Sequence, residues 1–236
     1  MRSYSNTYIF IFSSIMVITV AAILSVAAMT LQPLQKKNVE INKKQNILTS
    51  INLESDATNA EGLYDKYIQE SYAVNSKGER IEDVDAFNVD MKKELAKPIE
   101  ERRLPVFVST LEDSKQYIIP VYGKGLWGPV WGYVSLESDL STIFGANFAH
   151  QGETPGLGAE ISTQEFQKQF IGKDIFNDQG EFVSVSVMKG GTADPNSEHQ
   201  VDGISGGTIT GDGVDAMLED CLSSYVPYFK NIKTNI

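Results

Sequence analysis

From residue 8 to residue 31 the chain reads YIFIFSSIMVITVAAILSVAAMTL, with no charge and only hydroxyls as strongly polar groups. A helix needs about 20 apolar residues to cross a bilayer core. The run therefore predicts one membrane span. A cleavable signal peptide has an apolar core of about 7–15 residues; this run is longer and reads as a retained anchor. No later stretch of the sequence is long and apolar enough to span again.

Beyond the anchor the pattern turns polar. Residues 35–50, QKKNVEINKKQNILTS, keep a weak helical period through Leu34, Val39, Ile41 and Ile47, and residues 52–69 continue it through Leu53, Leu63, Tyr64, Tyr67 and Ile68. The period then changes. Residues 71–74 followed by Asn75-Ser76-Lys77-Gly78 predict a strand and a hairpin turn. Residues 82–97 are charged and read as a helix stopped by Pro98. Residues 104–108, 116–122, 130–136 and 143–149 read as strands, and 165–170 as a short helix. EFVSVSVM, residues 181–188, alternates most cleanly of all and predicts a strand; residues 214–225 predict the last helix. The fold class is α+β: one N-terminal transmembrane helix followed by an antiparallel-sheet domain. The expected divisions are a tail and anchor over 1–34, a helical membrane-proximal region over 35–70, and the α+β domain over 71–236.

Composition narrows the functions. The 236 residues are 42% hydrophobic and 22% charged, which suits a folded chain. The net charge of −11 argues against nucleic acid, whose binding needs a basic footprint. Cys221 is the only cysteine, so there is no intrachain disulfide and no thiolate metal cluster; it reads as packing. His150 and His199 are not at helical spacing and make a poor zinc pair.

Three glycine-rich segments fall at strand edges: residues 122–129 (YGKGLWGP), 150–158 (HQGETPGLG) and 202–213 (DGISGGTITGDG). Each alone is a turn. Together they supply backbone N–H groups, hydroxyls, a tryptophan and a lysine, the inventory for holding a phosphate and an aromatic ring.

The third segment resembles the flavinylation motif of the FMN-binding domains, D-x-x-S/T-G-A-T, with Asp202, Ser205, Gly206, Gly207 and Thr208 in its positions. ETPGLG at residues 153–158 is similar to a second signature of those domains. GKGLW followed by GYVSLE, and the single anchor, resemble the FMN-carrying subunits of the sodium-translocating NADH:quinone reductases. The resemblance covers nearly the whole chain. One departure is Gly207, where the family usually has alanine.

The resemblance implies that Thr208 carries FMN through a phosphoester, made by a separate flavin transferase with FAD as donor. Asp202 either helps the transferase hold its metal or caps the turn. Glu153, Thr154, Gly156, Leu157 and Gly158 are expected to line the flavin. Trp127 is either a neighbour of the flavin ring or a core anchor. Lys189 either places a cation near the flavin or is solvated beside a loop. Thr210 is expected as a cap near the helix start.

The role implied is an electron relay inside a membrane complex, taking an electron from an iron–sulfur centre and passing it to another flavin in partner subunits. The chain has no nicotinamide fingerprint and no iron–sulfur cysteines, so it has no complete activity alone. Two alternatives stand beside it: the equivalent subunit of the related ferredoxin:NAD oxidoreductase complex, and a membrane-anchored binding module without covalent cofactor. For topology the indications conflict. Lys36, Lys37, Lys43 and Lys44 follow the span and only Arg2 precedes it, which by the positive-inside rule puts the domain in the cytoplasm. The resemblance implies a single-pass protein of the bacterial inner membrane with its flavin domain periplasmic, and that is the expectation adopted.

Overall fold

A computed structural model describes residues 5–234. The chain divides into two compact units between Lys43 and Lys44.

Helix α1 runs Asn6–Ser50 with Pro33 inside it. Over residues 8–31 its apolar side chains stand exposed on every face, and it is long and apolar enough to cross a membrane. Two of its hydroxyls are turned onto its own backbone: Thr19 donates to the Ile15 carbonyl at 2.8 Å and Thr30 to that of Val26 at 3.0 Å. That arrangement satisfies both hydroxyls where water is absent.

In the second unit a six-stranded antiparallel sheet has the order β2-β1-β3-β4-β5-β6. Its strands are β1 (Ile68–Val74), β2 (Arg80–Ile81), β3 (Leu104–Leu111), β4 (Ser114–Lys124), β5 (Pro129–Leu136) and β6 (Ile143–His150). The central strands are buried on both faces, hence their near-continuous apolar runs. One face, with Phe107, Ile118 and Tyr133, packs on Ile47 and Leu48 at the end of α1 and on Ile51 just beyond it. The other face, with Val108, Ile119, Val121 and Val134, is covered by α5 (Thr208–Thr234) through Val214, Leu218, Cys221 and Tyr225. A parallel pair, β7 (Ser186–Met188) with β8 (Gln200–Asp202), leads into α5.

Four expected elements differ. EFVSVSVM forms a strand only over its last three of eight positions, because Ser184 takes φ 59° and breaks the extended run. Its alternation reflects burial of Val185 and Val187, not a long ladder. In residues 52–69 the helix is confined to α2, Ala60–Tyr67. Asn52 at φ 59° ends the preceding helix, and the Asp56 carboxylate gathers the N–H groups of Thr58 and Asn59 into a turn. Residues 82–97 hold only a 3-10 turn, Ala86–Asn88, and α3, Met91–Leu95, each started by an aspartate: Asp85 accepts from Phe87 N–H and Asp90 from Lys92 N–H. The last helix begins six residues before position 214, at Thr208 itself. Helix α4 occupies Gln164–Lys168, close to expectation.

Candidate functional site

The three glycine-rich segments meet at one carboxylate. Glu153 is only 4% exposed. Its Oε1 accepts from the Trp127 backbone N–H at 2.9 Å, and its Oε2 accepts from the Thr210 hydroxyl at 2.7 Å. Its own N–H donates to His150 Nδ1 at 3.1 Å. A buried carboxylate is costly unless hydrogen-bonded, and here the donors come from the other two loops. The packing leaves no room for a side chain at Gly158: a Cβ there would stand 2.6 Å from Glu153 Oε2 and collide with the Thr210 hydroxyl.

Thr210 is therefore not a helix cap. It lies in the first turn of α5, 1% exposed, with its hydroxyl spent on Glu153. Glu153 faces inward too, holding the loops together with both oxygens, whereas Thr154, Gly156 and Leu157 beside it are exposed.

Thr208 is the first residue of α5 and is exposed. The chain reaches it through Gly206 at φ 77°, a left-handed conformation that glycine takes without strain. Gly207 N–H donates to the Ile204 carbonyl, and the Gly207 carbonyl accepts the first helical bond, from Gly211 N–H at 2.9 Å. The N–H groups of Thr208, Ile209 and Thr210 thus have no carbonyl partner within the helix. With the helix dipole they make a place for an anion beside the Thr208 hydroxyl.

An apolar rim surrounds this point. Trp127 is 69% exposed, and Leu126, Leu157 and Ile209 are also exposed. Leu157 lies against Gly206, whose built Cβ would stand 2.7 Å from Leu157 Cδ2. Trp127 is thus not a core anchor. Ser205 is exposed, and the backbone of Gly190 lies against it. That brings the Lys189–Thr192 turn, closed by Thr192 N–H on the Lys189 carbonyl at 2.9 Å, to the same loop, with Lys189 exposed. Asp202 holds a turn: its Oδ1 accepts from Ala193 N–H at 2.9 Å, while Gln169 pairs with its backbone N–H and carbonyl. An exposed hydroxyl, unpaired helical N–H groups and an apolar rim fit a phosphate joined to a planar ring.

Residues 125–223 match the FMN-binding domain family. The chain is 34% identical over 209 residues to the NqrC subunit of the Na(+)-translocating NADH-quinone reductase of Haemophilus ducreyi, covering 82% of this chain and 80% of that one. This chain belongs to the NqrC family. It is also 30% identical over 252 residues to the NqrC of Neisseria meningitidis, covering 98% and 95% of the two chains. Among solved structures, the NqrC of Parabacteroides distasonis is 48% identical with a TM-score of 0.78, over 84% of this chain and 96% of that one. The NqrC of Shewanella oneidensis is 25% identical with a TM-score of 0.70, over 84% and 99%. Membership in this family and the exposed apolar α1 together make the chain a membrane-anchored member of a reductase complex.

In this member of the NqrC family several contributing residues carried no sequence signal. His150 was legible only as a poor zinc ligand, yet it accepts from Glu153 N–H. Asp215 accepts from Val187 N–H at 2.7 Å and so ties β7 to α5. Ile209 stands exposed between the two threonines of the ISGGTIT run. Cys221 is fully buried, exchanges hydrogen bonds with the Tyr122 backbone at 3.4 Å, and burial pushes its thiol up to about 12. It is a packing residue. No group of histidine, cysteine and carboxylate side chains able to hold a metal occurs among the described residues.

Proposed function

We propose that this chain is the flavin-carrying electron relay of a sodium-pumping NADH:quinone reductase, with FMN joined by a phosphoester to Thr208. The observation that carries this reading is the exposed Thr208 hydroxyl at the start of a 27-residue helix whose first N–H groups lack acceptors. In the attachment step the Thr208 Oγ–P bond would form as the pyrophosphate bond of FAD broke, with AMP as the leaving group and the transferase taking the hydroxyl proton. Gly206 and Gly207 keep the backbone bare so that the transferase can close over the loop. The N–H groups of Thr208, Ile209 and Thr210 then offset the phosphate charge.

Bound FMN supplies the electron transfer; the protein supplies position and field. Trp127, Leu126, Leu157 and Ile209 offer apolar surface to the ring. Glu153 holds the loops that carry them. Lys189 favours the reduced, anionic cofactor by proximity of opposite charge. The electron comes from an iron–sulfur centre and leaves to another flavin, both in partner subunits. Sodium moves among those partners, since a single span forms no channel. Kinship with NADH-quinone reductase subunits favours this reading over the ferredoxin:NAD oxidoreductase counterpart.

The test is the intact mass of the full chain after co-expression with a flavin transferase. The reading expects a gain of one FMN less one water, and yellow-green fluorescence that survives a denaturing gel. A chain that emerges unmodified beside an active transferase leaves only a binding module. Placement of the domain in the periplasm rests on the resemblance and is tested separately. A cysteine at exposed Lys77 should react with an impermeant maleimide in intact spheroplasts. Reaction only after lysis would put the domain in the cytoplasm.

A further inference from the structure

A groove borders the loop that carries Trp127, through Lys124, Gly128 and Pro129. It encloses about 750 Å³ between α3, the β4–β5 turn and α5, within the range of about 300–1,000 Å³ typical of small-molecule sites. Its position on α5 is marked by Asp220, Ser223 and Ser224. These are twelve or more residues beyond Thr208, hence about 18 Å or more along the helix. Its α5 wall is thus well away from the proposed flavin attachment, its opposite wall is the loop that carries Trp127, and the proposal does not depend on the flavin reading.

The charges in this groove run against those of the chain. The protein carries −11 overall, yet Lys92, Arg102 and Lys124 line the groove with Asp220 as the one acid. Among the described residues none of the three cations has a carboxylate within 4.0 Å; nearby Glu94 is taken by Lys97 at 2.7 Å and Asp90 by Lys93 at 3.6 Å. Arg102 is also held in place. Its Nε donates to the Lys97 carbonyl, Nη1 to Ser224 Oγ and Nη2 to the Leu95 carbonyl, each at 3.1 Å. All three acceptors are neutral, so none of them is a counter-charge. A guanidinium has five N–H donors, and two remain. A fixed guanidinium loses little freedom when it binds a planar or tetrahedral anion. Between the cations the lining is apolar, from Leu95, Ile99, Tyr122 and Pro129.

We propose that this groove binds a phosphate ester with a short apolar body. The phosphate sits on Arg102, flanked by Lys92 and Lys124, and the body lies on Leu95, Ile99 and Tyr122. Three cations suit a phosphate better than a lone carboxylate, and the apolar lining gives an ester an advantage over inorganic phosphate.

The experiment is calorimetric titration of the full chain in phosphatidylcholine nanodiscs with butyl phosphate, with inorganic phosphate and butanol as comparisons. Butyl phosphate should bind saturably and several-fold more tightly than inorganic phosphate. The Lys92→Gln/Lys124→Gln double variant should weaken it by roughly tenfold or more, while Lys77→Gln on the distant hairpin should not. Arg102→Lys keeps the charge but loses the fork, and should weaken binding when titrated well below its melting transition. Repeating the titration in phosphatidylglycerol nanodiscs separates two sources of the ligand. Displacement of butyl phosphate there identifies a lipid headgroup, and undiminished binding identifies a soluble ester. No saturable heat with butyl phosphate, or unchanged affinity in the double variant, overturns the proposal.

Discussion

Thr210 donates its hydroxyl hydrogen to Glu153 at 2.7 Å across 57 positions of the sequence, and both side chains are buried. Two residues earlier Thr208 is exposed. Two threonines in one Thr-Ile-Thr run thus do different work. One holds the loops together and the other is available to chemistry.

Thr208→Val and Thr210→Val should therefore separate attachment from stability. Thr208→Val is expected to abolish covalent flavin while melting within about 0.5 kcal/mol of the parent, as exposed substitutions do. Thr210→Val removes a donor from a buried carboxylate and should cost about 1–3 kcal/mol, yet keep most of the covalent flavin. Gel fluorescence and thermal melts read the two effects. Flavin mapped to Thr210 would reverse the assignment.

Glycine substitutions test how tightly the loops are closed. Gly158→Ala forces a methyl to 2.6 Å from Glu153 Oε2 and should cost about 1–3 kcal/mol, or about 2–4 °C of melting temperature per kcal/mol. Gly207→Ala places its methyl at 3.2 Å from Ile204 and 3.3 Å from the Gly158 nitrogen. That is a tight contact that small shifts relieve. It restores the family's usual alanine and should stay within about 1 kcal/mol, with covalent flavin retained. A Gly158→Ala protein that melts with the parent would mean the Glu153 junction is loose.

Cys221 gives a prediction at alkaline pH. Burial raises its thiol to about 12 in the folded chain, against about 8.5 for a free thiol. The raised value means the folded state keeps the proton longer. The stability so contributed is complete below about pH 8.5 and is lost as pH rises toward 12. Tyr225 and Tyr228 beside it on α5 are shifted in the same direction by burial, so the informative quantity is a difference. Denaturation midpoints of the parent should fall more steeply than those of Cys221→Ala between about pH 8.5 and 10.5. Parallel curves would show that the thiol is not protected.

Lys189 is exposed, so its influence on a flavin is modest. An exposed charge pair contributes about 0.2–1 kcal/mol, equivalent to about 10–40 mV for one electron. Lys189→Met should lower the flavin midpoint by that amount, with the difference shrinking in high salt. An unchanged titration at low salt would remove Lys189 from the cofactor's surroundings.

Some of this was readable in the sequence by itself. The uncharged run over residues 8–31 settles α1 because span length is a property of consecutive residues. Strands β3 to β6 were legible because burial on one or both faces writes a continuous or alternating pattern into each segment. The ETPGLG and SGGTIT runs were legible because they are local and unusual. Tertiary structure alone decided the rest. Nothing adjacent to Glu153 says that it faces inward. Its donors lie 26 and 57 positions away, and only the closure of three loops brings them within about 3 Å. The alternation of EFVSVSVM promised a long strand, but a ladder needs a neighbour of equal length, and Ser184 turns the chain before one is met. The start of α5 was hidden because glycines at 206, 207, 211 and 213 depress local helix propensity. Packing of Val214, Leu218 and Cys221 against the sheet stabilises the helix through its glycines, so it begins at Thr208. Short-range patterns fix what a segment prefers; which hydroxyl is buried and which is offered outward depends on contacts that form only when distant segments close together.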